Sequence, residues 1–106
     1  MEIQPAKQRM IKDLKEEDQR VQITGYVGEI EDDGNFLLED STGKIKVLKE
    51  RVEYTCSKDD LINVFGELSH IEGKKWVLEA EIIQDMKGLN FEYYRKLYEI
   101  KKQYLE

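Results

Sequence analysis

The sequence predicts an all-β barrel of five short strands with one terminal helix, and three observations carry that prediction. Five segments between residues 20 and 83 alternate or run apolar over strand length. Glycines fall inside two of those segments, where a strand must bend or let another backbone come close. The last eighteen residues contain no Gly or Pro and carry apolar side chains at helical spacing.

The elements follow in order. Residues 1–19 form a lead-in that starts irregularly at Pro5, with a short helical turn expected around Met10–Leu14. RVQITGYVGEI, residues 20–30, is the first strand: Val21, Ile23 and Val27 alternate with Gln22, Thr24 and Tyr26, and Gly25 and Gly28 interrupt the pattern. EDDGN turns at Gly34. FLLED (36–40) and KIKVL (44–48) are the second and third strands, joined by Ser-Thr-Gly into a hairpin. Residues 50–60 lose the alternation and make a long connection with room for a helical turn. LINVFGELSHI (61–71) is the fourth strand. WVLEAEII (76–83) is the fifth, with Leu78, Ala80 and Ile82 expected on one face and Glu79 and Glu81 on the other. The barrel therefore spans 20–88, and 89–106 is a helix capped by Asn90.

Composition narrows the function. At 106 residues the chain is one domain, too short for a two-lobed enzyme with a deep cleft. No apolar run approaches the ~20 residues of a membrane helix, and the first residues lack the apolar stretch of a secretory signal. One cysteine, Cys56, excludes an internal disulfide and fits an intracellular location. The net charge of −6 argues against strong, autonomous nucleic-acid binding. That acidic excess is concentrated between residues 20 and 88, with 9 basic against 15 acidic side chains.

A break after the third strand of a five-stranded Greek-key barrel is the order of the OB-fold. Here the motifs become more specific. V-x-I-x-G-x-V, then F-L-L-E-D-S-T-G-K-I-K-V, then I-N-V-F-G-E-L resembles the OB domains of replication protein A, and PAKQRMIKDL is similar to the lead-in of archaeal members. The helix after the barrel resembles the middle and small subunits. The resemblance implies a single-stranded-DNA-binding complex of replication or repair, with the terminal helix joining another OB-fold subunit or a second copy. The alternatives are an assembly subunit of such a complex with negligible DNA contact, which the net charge of −6 favours, and an RNA- or tRNA-binding OB protein.

Asp40 carries no catalytic signature. The D-S-T-G order has one residue too many for an aspartic protease, and Gly43-Lys44 lacks the upstream glycine and the following Ser or Thr of a phosphate loop. The turn reading is physical: Asp40 or Ser41 hydrogen-bonds the turn backbone and Gly43 takes the positive φ. His70 has no oriented partner in sequence. No nucleophile–base pair, metal spacing or cofactor fingerprint is present, so neither enzyme activity nor a cofactor is expected.

Binding candidates remain. Lys44 and Lys46 have the outward parity of the third strand; they either neutralise phosphates or are solvated. Tyr26 is outward on the first strand. Lys74, Lys75 and Trp76 form the best basic-plus-aromatic cluster, although Trp76 shares parity with Leu78 and equally fits the end of the core. Phe36 is expected in the core; Phe65 is either an exposed platform or covered by the terminal helix. On that helix Tyr93, Leu97, Ile100 and Tyr104 make one apolar row, and Phe91, Tyr94, Tyr98 and Leu105 the adjacent one. Either both rows fold back, or one packs inward and the other meets a partner. The candidate partner contacts are Phe91, Tyr94, Leu97, Tyr98, Ile100, Tyr104 and Leu105.

Overall fold

A computed structural model describes residues 6–71 and 75–105, without the side chains of Ile71 and Leu105. Its elements are β1 (Lys7–Gln8), a 3-10 turn (Ile11–Asp13), β2 (Arg20–Ile30), β3 (Phe36–Glu39), β4 (Lys44–Leu48), β5 (Leu61–Ile71), β6 (Lys75–Asp85) and α1 (Phe91–Leu105). The five long strands close in the order β2-β3-β4-β6-β5 and back to β2. This is the OB-fold barrel with its terminal helix, as the alternation predicts. The predicted strands one to five correspond to β2 through β6.

Closure explains the length of β2. One edge pairs with β5 from Arg20 to Tyr26. The other edge pairs with β3 from Tyr26 onward, and β1 covers its first residues by pairing with Val21 and Gln22. No part of that strand keeps a long exposed edge. The barrel also forces backbones together. A Cβ on Gly25 would lie 2.5 Å from the Glu39 carbonyl oxygen, and one on Gly66 would lie 2.3 Å from that of Glu79. The in-strand glycines are there for close approach.

Val21, Ile23, Val27, Phe36, Leu38, Ile45, Val47, Ile62, Val64, Leu78, Ala80 and Ile83 fill the barrel. Val52, Tyr54 and Cys56 of the long connection pack on this core. The connection itself forms turns and no helix. Burial corrects the face expected for the fifth strand. Leu78 and Ala80 point inward, but Ile82 is 55 % exposed and Ile83 is buried. The β5–β6 register slips there: Phe65 pairs with Ile82, yet Gly66 pairs with Ala80, leaving Glu81 as an extra residue. A bulge reverses the alternation beyond it.

A second, smaller cluster joins the lead-in to the helix. Met10, Phe91 and Tyr98 are buried together, with Leu61 and Tyr94 at its edge. Asn90 caps α1 through its side-chain oxygen, which accepts from the Tyr93 amide at 3.1 Å.

Candidate nucleic-acid face and assembly surface

The D-S-T-G hairpin is a clasp. The Asp40 carboxylate is fully buried. Its Oδ1 accepts from the Thr42 amide at 2.9 Å and from the Thr42 hydroxyl at 2.6 Å. Its Oδ2 accepts from the Ile11 amide at 2.6 Å. The Lys12 amide in turn donates to the Thr42 hydroxyl oxygen at 3.1 Å. The turn thereby fixes the lead-in against the barrel. The residue with positive φ is Ser41, at 73°, and not Gly43. Gly43 is there for space, since a Cβ at that position would meet Ile11 Cγ2 at 3.0 Å. The turn glycine makes room for the segment that Asp40 holds.

The structure brings Tyr26, Lys44 and Lys46 to one outer face. Tyr26 pairs with Glu39 across β2–β3, and Glu39 pairs with Lys44 across β3–β4. Both lysines point outward as expected, but carboxylates meet them. Lys46 Nζ lies 3.0 Å from Glu31 Oε1, and Lys44 Nζ lies 3.7 Å from Glu39 Oε1. The loop carrying Glu31 is ordered by its own turn: the Glu31 amide donates to the Asn35 carbonyl at 2.7 Å, and the Lys49 amide donates to Asn35 Oδ1 at 2.9 Å. Tyr26 is 41 % exposed, and its ring meets Phe91 edge-on with centroids 5.3 Å apart.

The other predicted cluster is divided. Lys74 lies outside the described residues, and Lys75 is exposed at the start of β6. Trp76 is half-buried against the barrel core and stacks on His70, with centroids 3.9 Å apart and planes at 29°. The indole is thus held between core and imidazole. Phe36 is fully buried, and Phe65 is half-buried beside Gln22 and Ile82. Burial pushes the Cys56 thiol above its ordinary value, away from the reactive thiolate. Among the described residues no group of three His, Cys, Asp or Glu is arranged to hold a metal ion.

A groove of about 630 Å³ borders this face, between the start of α1 and the barrel. Tyr26 and Phe91 line it, together with Glu39, Asp59, Glu92 and Arg95. Sequence reasoning did not bring these residues together, because four elements far apart in sequence supply them.

The helix separates its two apolar rows. Phe91 and Tyr98 are buried within the chain, and Tyr94 is half-buried, its hydroxyl accepting from Gln8 Nε2 at 2.8 Å. The sequence reading places these three among the partner contacts; the lead-in and the barrel occupy them instead. The Leu105 side chain lies outside the described residues. The opposite row is open: Tyr93 is 65 %, Leu97 38 %, Ile100 51 % and Tyr104 83 % exposed. Tyr93 belongs with that outward set.

Polar contacts fix the helix in this rotation. Tyr98 donates its hydroxyl to Asp13 Oδ2 at 2.8 Å, Lys102 donates to Asp13 Oδ1 at 2.7 Å, and Lys12 pairs with Glu99 at 2.6 Å. Burial acts to raise the Asp13 carboxyl, but the bonds from Lys102 and Tyr98 outweigh it and hold its pKa below the ordinary value. Burial, with the bond to Asp13, pushes the Tyr98 phenol far above its usual range. Nearby, Asp18 is buried and bonded by Arg9 at 3.1 Å and by the Lys15 amide at 3.0 Å; burial acts to raise its carboxyl, but these bonds together with the charges of Arg9 and Lys7 outweigh it and lower the pKa.

No family model and no curated protein matches this chain. Its fold does match solved structures. A chain of the S. pombe Stn1–Ten1 complex superposes with a TM-score of 0.75 at 17 % identity, covering 97 % of this chain and 96 % of that one. The telomere capping protein Ten1 of S. pombe gives 0.75 at 19 % identity, covering 93 % and 99 %. A chain of a replication protein A heterotrimer bound to single-stranded DNA gives 0.62 at 16 % identity, covering 80 % and 73 %. At these identities the likeness establishes the fold.

Proposed function

We propose that this chain is an OB-fold subunit of a nucleic-acid-binding complex, of the kind that handles single-stranded DNA in replication or repair. It joins another OB-fold subunit through the outward row of α1. The observation that carries this reading is the division of the helix: one apolar row buried in the chain, and the other, Tyr93, Leu97, Ile100 and Tyr104, presented to solvent. A contiguous apolar row on a domain with this acidic surface is costly unless covered. Tyrosines suit such a surface, being apolar in body and polar at the tip. The near full-length fold likeness to Ten1, a protein found in a complex with Stn1, supports the same role.

The strand-facing part of the proposal is the Tyr26, Lys44 and Lys46 face over β3 and β4, the surface on which OB-folds hold oligonucleotides. Because carboxylates meet both lysines, its contact with DNA is weak in the isolated chain. A second reading follows from the same ion pairs: an assembly subunit whose barrel makes no strand contact. The role is non-enzymatic and intracellular in both readings.

Co-purification of the tagged chain from its native source tests the assembly half. Leu97→Glu with Ile100→Glu is expected to remove the partner while leaving circular dichroism and melting intact. Retention of every partner by that variant would refute it. Binding of a fluorescent oligo(dT) by the purified complex, compared with the complex carrying Lys44→Ala and Lys46→Ala, separates the two readings.

A further inference from the structure

We propose that Glu31 and Glu39 are selectivity residues of the β3–β4 face, standing where phosphates of a strand would stand. The inference rests on reading that face as the nucleic-acid side. Glu31 Oε1 lies 3.0 Å from Lys46 Nζ, and Glu39 Oε1 lies 3.7 Å from Lys44 Nζ. The first is close to the distance at which a phosphate oxygen would sit on the same ammonium, and the second is a looser ion pair that holds Glu39 beside the ammonium a phosphate would approach. The two carboxylates therefore engage both lysines of the face.

Their backbones are also held in place. Glu39 belongs to β3 and sits directly opposite Lys44 in the ladder. Glu31 sits at the start of a turn closed by the Glu31–Asn35 and Gly34–Glu31 backbone bonds, and Asn35 ties that turn to the end of β4. Glu29, Asp32 and Asp33 add further exposed negative charge around Glu31. The carboxylates are thus built into the ladder and an ordered turn.

A strand entering this face must displace both pairs and also approach the charge of the loop. Each pair is solvent-exposed and individually weak, so the barrier is one that a strand at high local concentration can overcome. The consequence is a face that rejects free polyanions and accepts a strand delivered by another subunit.

Anisotropy of a fluorescent oligo(dT) at low salt tests this with the isolated chain and with Glu31→Gln, Glu39→Gln and the double variant. Glu16→Gln with Glu17→Gln, both exposed in the lead-in, is the control for the same change in net charge. The double variant is expected to bind about tenfold more tightly than wild type, and the control less than about twofold more tightly. Its salt dependence is expected to steepen, approaching two further phosphate contacts at about 0.7 each in log–log slope, the single-strand value. Adding Lys44→Ala and Lys46→Ala is expected to cancel both gains. Equal affinity and slope for the double variant and the control overturn the proposal, as does a gain that survives removal of the lysines. Absence of binding by every variant overturns it too. None of these outcomes touches the outward row of α1, whose own test is co-purification, so the two readings fail separately.

Discussion

Replacing Asp40 by Asn is expected to destabilise the protein more than most substitutions of similar size. The carboxylate accepts from the Ile11 amide at 2.6 Å through one oxygen, and from the Thr42 amide and hydroxyl through the other. An amide must place its NH₂ toward one of those sides. There it faces a backbone N–H that can only donate, in a site with no solvent exposure. A hydrogen bond to a charged group contributes about 1.5–3 kcal/mol, and a buried donor left without an acceptor costs about 1–3 kcal/mol more, so the loss comes to roughly 3 kcal/mol even near the low end of both ranges. For a domain of this size that lowers Tm by roughly 10–20 °C. Urea unfolding followed by circular dichroism measures the loss, with the m-value checked for constancy. Amide exchange at Ile11 and Thr42 localises it, since one of those two protons loses its acceptor. A change under about 0.5 kcal/mol, the range of ordinary surface substitutions, together with unaltered exchange at both Ile11 and Thr42, would show that the clasp does not hold the lead-in.

Three further outcomes follow from the geometry. Ile83→Ala is expected to cost about 2–5 kcal/mol and Ile82→Ala less than about 1 kcal/mol, because the β6 bulge buries the former and exposes the latter; urea unfolding of the pair decides it. Gly66→Ala is expected to lose stability by more than about 3 kcal/mol or to fail to fold, since its Cβ would lie 2.3 Å from a backbone oxygen; soluble yield and thermal melts report this, and a near-normal melt contradicts the close approach. Asp13 and Asp18 have depressed folded-state pKa values. Their stabilisation is therefore present above the unfolded carboxylate value near 3.9 and is lost as pH falls through the folded-state values. Melts between pH 6 and 2.5 are expected to be steeper at the acid end for wild type than for Asp13→Asn.

Much of this fold was legible because strand alternation and helix caps are local signals. The five barrel strands lie where Val21–Ile23–Val27, Phe36–Leu38, Ile45–Val47, Ile62–Val64 and Leu78–Ala80 place them. What was illegible depends on contacts between distant segments. The bulge at Glu81 exists because β5 and β6 must curve together, and no local pattern marks it. Gly43 reads as the positive-φ residue until Ile11 is seen against it. The two helical rows are nearly equivalent in composition, so only the docking of Met10 and Asp13 decides which turns inward. For the candidate face, outward parity was readable at Lys44 and Lys46. Their carboxylate partners were not, because Glu31 approaches Lys46 only through the hairpin fold.

The most direct test of the assembly role is native mass spectrometry of the tagged chain purified from its source, beside the Leu97→Glu, Ile100→Glu variant. A subunit role through α1 predicts a defined particle containing this chain and a second OB-fold protein, and a bare monomer for the variant. A wild-type chain that emerges only as a monomer, or a variant that keeps the same particle, contradicts it.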